Sequence, residues 1–143
     1  MTFVAEATRT LASLPEVAFD RLVDYASWYA WMPRSFRPVD RARGALRVGD
    51  RPRVRLAGAL LPTTLAVSVV DRPREISWRG GVRPLLWGEH RFLFEADGAG
   101  GTRVRSVETF YGAAAPLVRP ILQPFAVRIG GAQLAGLARS LRA

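Results

Sequence analysis

Polar and apolar residues alternate from Phe3 to Ala12, the period-two pattern of a strand with one buried face. Ser13-Leu14-Pro15-Glu16 then reads as a helix start: a serine able to cap, a proline suited to the first turn, and a glutamate at the positive end of the dipole. Val17, Phe19, Leu22 and Val23 recur behind it at helical spacing. Tyr25 to Trp31 reads as a second short helix, ended by the Met32-Pro33 step. From there the period returns to two. Strands are predicted at Phe36–Arg41, Arg51–Ala57, Thr64–Val70, Glu75–Gly80, Leu86–Glu95 and Thr102–Tyr111, separated by turns that carry Gly, Pro or Asp. The last segment, Pro116 to Ala143, is rich in Ala and Leu and predicts a long helix. Pro116, Pro120 and Pro124 fall every fourth residue, and an interior proline costs about 3 kcal/mol. The expected helix therefore has a kinked or irregular start and runs regularly from about Pro124. Gly130-Gly131 is a second soft point, either a kink or a place where the sheet or a ligand comes close.

The elements define an α+β chain: a strand, two short helices, six more strands in an antiparallel meander, and a long C-terminal helix. With no repeat or linker, residues 1–143 are expected to form one domain. Several segments carry a resemblance. Leu14 to Asp24 forms an opening helix, followed by Trp28-Tyr29-Ala30-Trp31-Met32-Pro33, then Gly44-Ala45-Leu46-Arg47-Val48-Gly49-Asp50. Arg74-Glu75-Ile76-Ser77-Trp78-Arg79-Gly80 and Gly88-Glu89-His90-Arg91-Phe92 follow on later strands. In this order they resemble the START-like superfamily, which includes birch-pollen-allergen-like proteins and bacterial polyketide cyclases. The resemblance implies a helix-grip fold, a seven-stranded curved antiparallel sheet around the C-terminal helix, with an apolar ligand cavity between them. It does not imply one function, because carriers, cyclases and receptors share the fold.

Strand alternation assigns the inward face. Ile76 and Trp78 point in while Glu75, Ser77 and Arg79 point out. Gly88, His90, Phe92 and Phe94 point in, as do Val104, Ser106, Glu108 and Phe110. Val54 and Leu56 oppose Arg53 and Arg55, and Leu65, Val67 and Val69 share a face. If the Asp97–Gly101 reversal pairs Phe94 with Val104, then Phe92 faces Ser106, His90 faces Glu108, and Glu95 meets Arg103 on the solvent side. A one-residue slip would expose Val104 and Phe110. The only histidine thus meets an inward glutamate at about 5 Å between Cβ atoms, close enough to share a proton and lessen the cost of burying a carboxylate. Three readings follow: a satisfied buried pair, a ligand anchor, or an acid/base pair acting on a polyketone. The candidate catalytic residues are His90 and Glu108. The ligand-contacting set comprises Trp31, Val54, Leu56, Leu65, Val67, Trp78, His90, Phe92, Ser106, Glu108, Phe110, Leu122, Phe125 and Ile129. Trp87 is a further candidate to line a pocket for rings, with Trp28 and Tyr29 at its mouth. Ile121, Leu122, Phe125 and Ile129 are expected to face the sheet. Val127, Leu134, Leu137 and Leu141 form a second apolar side of the same helix.

Composition adds exclusions. The chain has no cysteine, so disulfides, thiolate metal sites and cysteine nucleophiles are excluded. One histidine near a single inward carboxylate does not make a metal site, Asp71 and Asp97 lie in solvated turns, and no cofactor is expected. No signal peptide or membrane-spanning run is read, and the expected location is cytoplasmic. The net charge is +9 with 21 basic residues, all arginine. They are spread without a basic run or a nucleic-acid motif, so nucleic acid is not an expected partner. A coding sequence rich in G and C accounts for them. The first function expected is binding of a small hydrophobic molecule, such as a lipid, isoprenoid or aromatic polyketide. The alternatives are a cyclase or dehydratase using His90 and Glu108, and lipid exchange at anionic membranes through the arginines. Peripheral membrane contact and a homodimer through the last helix complete the expected partners.

Overall fold

The computed structural model describes residues 2–40 and 44–142. The chain runs β1 (Phe3–Leu11), α1 (Pro15–Val23), a 3-10 turn (Tyr25–Ser27), α2 (Trp28–Trp31), β2 (Phe36–Pro38), β3 (Arg53–Leu56), β4 (Thr63–Thr64), β5 (Ala66–Asp71), β6 (Glu75–Val82), β7 (Leu86–Ala96), β8 (Thr102–Tyr111) and α3 (Ala115–Arg142). This is the expected helix-grip arrangement, an antiparallel sheet packed on a long C-terminal helix. Arg41, the expected end of the second strand, lies outside the described residues.

The single seven-stranded sheet is corrected. The strands form a five-stranded sheet in the order β1-β8-β7-β6-β5 and a three-stranded sheet in the order β2-β3-β4. The break falls at Leu65, inside the predicted strand Thr64–Val70. Thr63 and Thr64 pair with Val54 and Arg53, whereas Ala66 onward pairs with β6. Leu65 donates its N–H to Pro52 O at 2.8 Å and buries its side chain between the two sheets. The small sheet can fold over because Gly80 of β6 meets it: a Cβ there would lie 3.4 Å from Leu65 Cδ2, Thr63 Cγ2 and Thr64 O.

Two helix starts also differ from expectation. Ser13 does not cap α1. The N-cap is Leu14, without a side-chain cap, and Pro15 opens the helix. Ser13 instead accepts the Thr102 hydroxyl on its carbonyl at 2.7 Å, tying the end of β1 to the start of β8. The second correction is that α3 is helical from Ala115, through Pro120 and Pro124. Pro116 falls in the first turn, where its missing N–H breaks no helical bond, and Pro120 and Pro124 lie exposed.

The core has two parts. The larger gathers Phe19, Leu22, Tyr25 and Trp28 from the first helices, Trp78 and Phe92 from the sheet, and Leu134 and Leu137 from α3. Trp28 is fully buried, its Nε1 donating to Leu22 O at 2.8 Å. The smaller gathers Phe3, Ala5, Phe110, Ala115 and Ala126, with Leu86, Val118 and Leu122 against it. Ile121 does not face the sheet; it is exposed, as is Val127. Ser77 points away from the main core, as expected, yet is buried, because Glu75 and Arg91 cover it and Glu75 takes its hydroxyl at 2.6 Å. Gln133 is buried on α3 with both amide atoms unpartnered, and nothing in the structure explains it.

Helix α3 also meets α2 at a glycine. A Cβ on Gly136 would land on the Trp31 carbonyl oxygen, whereas one on Gly131 would meet nothing within 4 Å. Alanine is favoured over glycine in a helix by about 1 kcal/mol, so the two positions should respond oppositely. Gly131→Ala is expected to stabilise by up to about 1 kcal/mol and Gly136→Ala to destabilise by about 1–3 kcal/mol, both read from urea unfolding midpoints.

Candidate functional site

Between the two parts of the core lies an apolar cavity of about 200 Å³. Val54 and Trp78 are fully covered at its base, whereas Leu56, Thr63, Leu86, Trp87 and Leu122 are half-buried and Gly81 is exposed, which places the opening at that end. The remaining lining comes from Phe36, Leu65, Gly80, Gly88, His90, Glu108 and Phe110. Thus β2, β3, β4, β6, β7, β8 and α3 all contribute.

The polar groups are set by one hairpin. Phe94 pairs with Val104, Phe92 with Ser106 and His90 with Glu108, the register read from the turn and the alternation. Glu95 and Arg103 are opposed as well, but they form no ion pair among those described. Position does not become contact for His90 and Glu108. His90 Nδ1 lies 4.0 Å from Glu108 Oε2, too far for a hydrogen bond, so the expected shared proton is corrected. The imidazole's partner is Ser106, whose Oγ lies 2.6 Å from Nε2. One of the two donates, and the other ring nitrogen is left toward Glu108. Gly130 of α3 makes room for this contact: its Cβ would lie 3.0 Å from Ser106 Oγ. The ring is stacked on Phe92 at 4.3 Å and meets Trp78 edge-on at 5.4 Å.

Burial acts on the two groups in opposite senses because it penalises whichever form is charged. The His90 imidazole is pushed down to about 3 from its ordinary 6.5. The Glu108 carboxyl is pushed up to about 7 from 4.5, although a quarter of its side chain reaches solvent at the opening. Near neutral pH the cavity therefore holds an uncharged imidazole and a carboxyl that gains or loses a proton easily. Among the described residues no three His, Cys, Asp or Glu side chains are gathered as metal ligands.

Of the fourteen residues read from the sequence as ligand-contacting, Val54, Leu56, Leu65, Trp78, His90, Glu108, Phe110 and Leu122 line the cavity. The other six do not. Val67, Phe92 and Ile129 are filled core, with Phe125 packed against it. Trp31 is buried with its Nε1 on Ser27 Oγ at 2.8 Å, and Ser106 sits behind His90. Trp87 does line the cavity. Trp28 does not lie at the mouth, being core, and Tyr29 is exposed with its hydroxyl on the Asp40 carbonyl. The reading missed Phe36, Thr63, Gly80, Gly81 and Leu86. One signal was available: Gly80 and Gly88 oppose each other across β6 and β7, hollowing the wall where two side chains would fill it.

The family of polyketide cyclase / dehydrase and lipid transport proteins matches residues 2–143, and the chain belongs to it. Among solved structures, a hypothetical protein of Helicobacter pylori is similar with a TM-score of 0.77 at 15% identity, over 96% of this chain and 87% of that one. The Zhui aromatase/cyclase of a Streptomyces species gives a TM-score of 0.71 at 17% identity, over 98% and 93% of the two chains. Ara h 8.0201 gives 0.72 at 16% identity over 100% of both. At such identities the likeness is one of fold. No curated protein matches the sequence.

The opposed shifts make a pH signature. Below 6.5 an unfolded histidine takes a proton that His90 refuses until about pH 3, so acidification in that window favours unfolding. Between 4.5 and 7 folded Glu108 keeps a proton that the unfolded chain has lost, so raising the pH there costs stability. From pH 4.5 to 6.5 the two contributions cancel. Glu108→Gln should uncover His90. Urea unfolding of the variant is expected to show stability falling on acidification through this window by up to about 1.4 kcal/mol per pH unit, where the parent stays level. A level variant would mean that His90 titrates normally.

Proposed function

We propose that the chain binds a small hydrophobic molecule in the cavity between the sheets and α3, with Glu108 and His90 as its polar anchor. The observation that carries this reading is an apolar hollow whose two ionisable groups are both largely uncharged below pH 7. An unliganded apolar cavity loses the contacts that a filler would make. The anchor orients what enters: a protonated Glu108 donates to a carbonyl, an ionised one accepts from a hydroxyl, and His90 stays neutral throughout. Size narrows the ligand class. A dry apolar cavity of about 150 Å³ holds one benzene ring, so about 200 Å³ suits one or two fused rings carrying a single polar group. Of the molecules considered from the sequence, an aromatic polyketide fragment or a short isoprenoid fits within the walls, and a longer chain extends through the opening.

One observation favours a second reading. A carboxyl titrating near 7 is matched to proton transfer at neutral pH, so Glu108 supports acid/base chemistry of the cyclase or dehydratase kind on an enolisable ketone. His90, neutral and linked to Ser106, would then be a hydrogen-bonding partner and not the base.

Both readings require occupancy of the cavity, which 2-naphthol tests directly: two fused rings and one hydroxyl. Saturable binding followed by naphthol fluorescence is expected. Leu122→Trp, which fills the opening, should weaken it at least about tenfold, while Glu108→Gln should weaken it less and remove its pH dependence near 7. Absence of saturable binding to the parent, or unchanged binding to Leu122→Trp, would overturn the proposal.

A further inference from the structure

The five most exposed large apolar side chains, with Leu85 beside them, lie close together. Leu60, Leu61, Val82, Leu85, Leu117 and Ile121 are each between 56% and 92% exposed. They occupy three segments: the connection from β3 to β4, the turn from β6 to β7, and the first turns of α3. Each segment also supplies walls of the cavity opening, through Leu56 and Thr63, Gly81 and Leu86, and Leu122. The segments adjoin. The Gly80 backbone meets Thr63 and Thr64, and Ala113 and Ala114 donate N–H groups to Pro84 O and Leu85 O at 3.1 and 2.9 Å. The opening is therefore rimmed by apolar side chains that the protein itself leaves uncovered, a feature that marks an interaction surface.

Charge says what covers it. Arg34 stands beside the first segment, where Ala57 N–H reaches Ser35 O at 3.1 Å. Arg83 lies over the Trp87 ring at 3.9 Å. Arg119 lies between Leu117 and Ile121 and bonds only the neutral Gln123 amide oxygen at 3.1 Å. None of the three forms an ion pair among those described. Residues 25–39, 51–70, 76–88 and 109–143 contain no Asp or Glu at all. Of the acids nearest the opening, Glu108 lies in the cavity and Glu89 is paired with Arg79; others stand in α1 and the turn from β5 to β6, where Asp20 and Asp71 pair with Arg72 and Arg74. A rim-to-rim contact with a second copy brings like charges together and adds no carboxylate beyond the Glu108 held in the cavity. A bilayer with anionic headgroups offers an apolar interior beneath negative charge, complementary to both features.

We propose that the rim docks on the surface of an anionic lipid bilayer with the cavity opening toward the lipid, so that an apolar ligand passes between bilayer and cavity without crossing water. The exchange step rests on the cavity reading above; the docking does not.

Co-sedimentation with vesicles tests the docking. The parent should bind vesicles of phosphatidylglycerol and phosphatidylcholine and not those of phosphatidylcholine alone. The double variants Leu60→Asp/Leu61→Asp and Leu117→Asp/Ile121→Asp should each lose at least about tenfold in vesicle affinity. Val17→Asp, on exposed α1, should bind as the parent does. All the substituted side chains are exposed, and unchanged circular dichroism checks that the variants fold. No binding to anionic vesicles, or equal binding by the rim variants, overturns the docking. A parent dimer in light scattering that the rim variants abolish assigns the rim to a second copy and overturns it too. Naphthol binding by the rim variants separates the two proposals. If it persists while vesicle binding is lost, rim and cavity act separately as argued. If the parent binds vesicles without taking up naphthol, docking stands and the cavity reading falls, taking the exchange step with it.

Discussion

The length of α3 against the width of the sheet constrains the rest of the molecule. Its 28 residues span about 42 Å, whereas the ten residues of β8 span about 33 Å. The helix is long enough to reach both parts of the core. The second half of α3 is clamped between sheet and first helices by Ile129, Leu134 and Leu137, and Arg21 of α1 donates to Ser140 O at 2.7 Å near its end. The first turns are held separately, by Ala115, Val118, Leu122 and Ala126 against Phe3 and Phe110, and Leu117 and Ile121 lie on the side of the helix turned away from that contact. The prolines are tolerated there for the same reason. Pro120 and Pro124 lie exposed, and the helix gains its hold from packing on its other side. The cavity lies between the two parts of the core, where α3 contributes Leu122 to a wall otherwise made by the strands.

Inside it, His90 and Glu108 illustrate why a buried histidine and a buried glutamate need not form an ion pair. Moving a proton from Glu108 to His90 would create two charges 4.0 Å apart with no hydrogen bond between them. Attraction across that distance does not repay the desolvation of both. The neutral pair is the stable arrangement, and Ser106 holds the imidazole by hydrogen bonding without adding charge. Gly130 is part of the same arrangement, since any side chain there would press on the Ser106 hydroxyl.

Legibility in the sequence followed how strongly each feature was over-determined. The pairing of β7 with β8 was readable because two signals agreed: a tight turn at Asp97–Gly101 and an apolar alternation that tolerates no slip. The partner of His90 was not, because opposition across a ladder fixes Cβ positions and leaves the side chain free to lean toward a neighbour, here Ser106. The split at Leu65 was hidden because its residues alternate normally on both sides; only the backbone changes partner. Trp28 was misplaced, and the burial of Ser77 unforeseen, for a related reason. Burial depends on what lies above a side chain, such as the Glu75–Arg91 pair over Ser77, and period alone does not carry that information. The hollow at Gly80 and Gly88 was hardest to see, because an absence of side chains leaves no hydrophobic signal.

The shape of the cavity bears on how any ligand reaches it. Its base, formed by Val54, Trp78 and His90, is closed by packed aromatic rings, with Trp78 against Trp28 at 5.4 Å and Phe92 at 5.2 Å. Close-packed interiors of this kind do not part cheaply. Entry and exit therefore use the end bounded by Gly81, Leu86, Trp87 and Leu122. An apolar ligand in water would meet that end rarely, since its free concentration is limited by the same hydrophobic effect that favours its burial. The docking proposed above would set that end at the bilayer, where such a molecule is already concentrated.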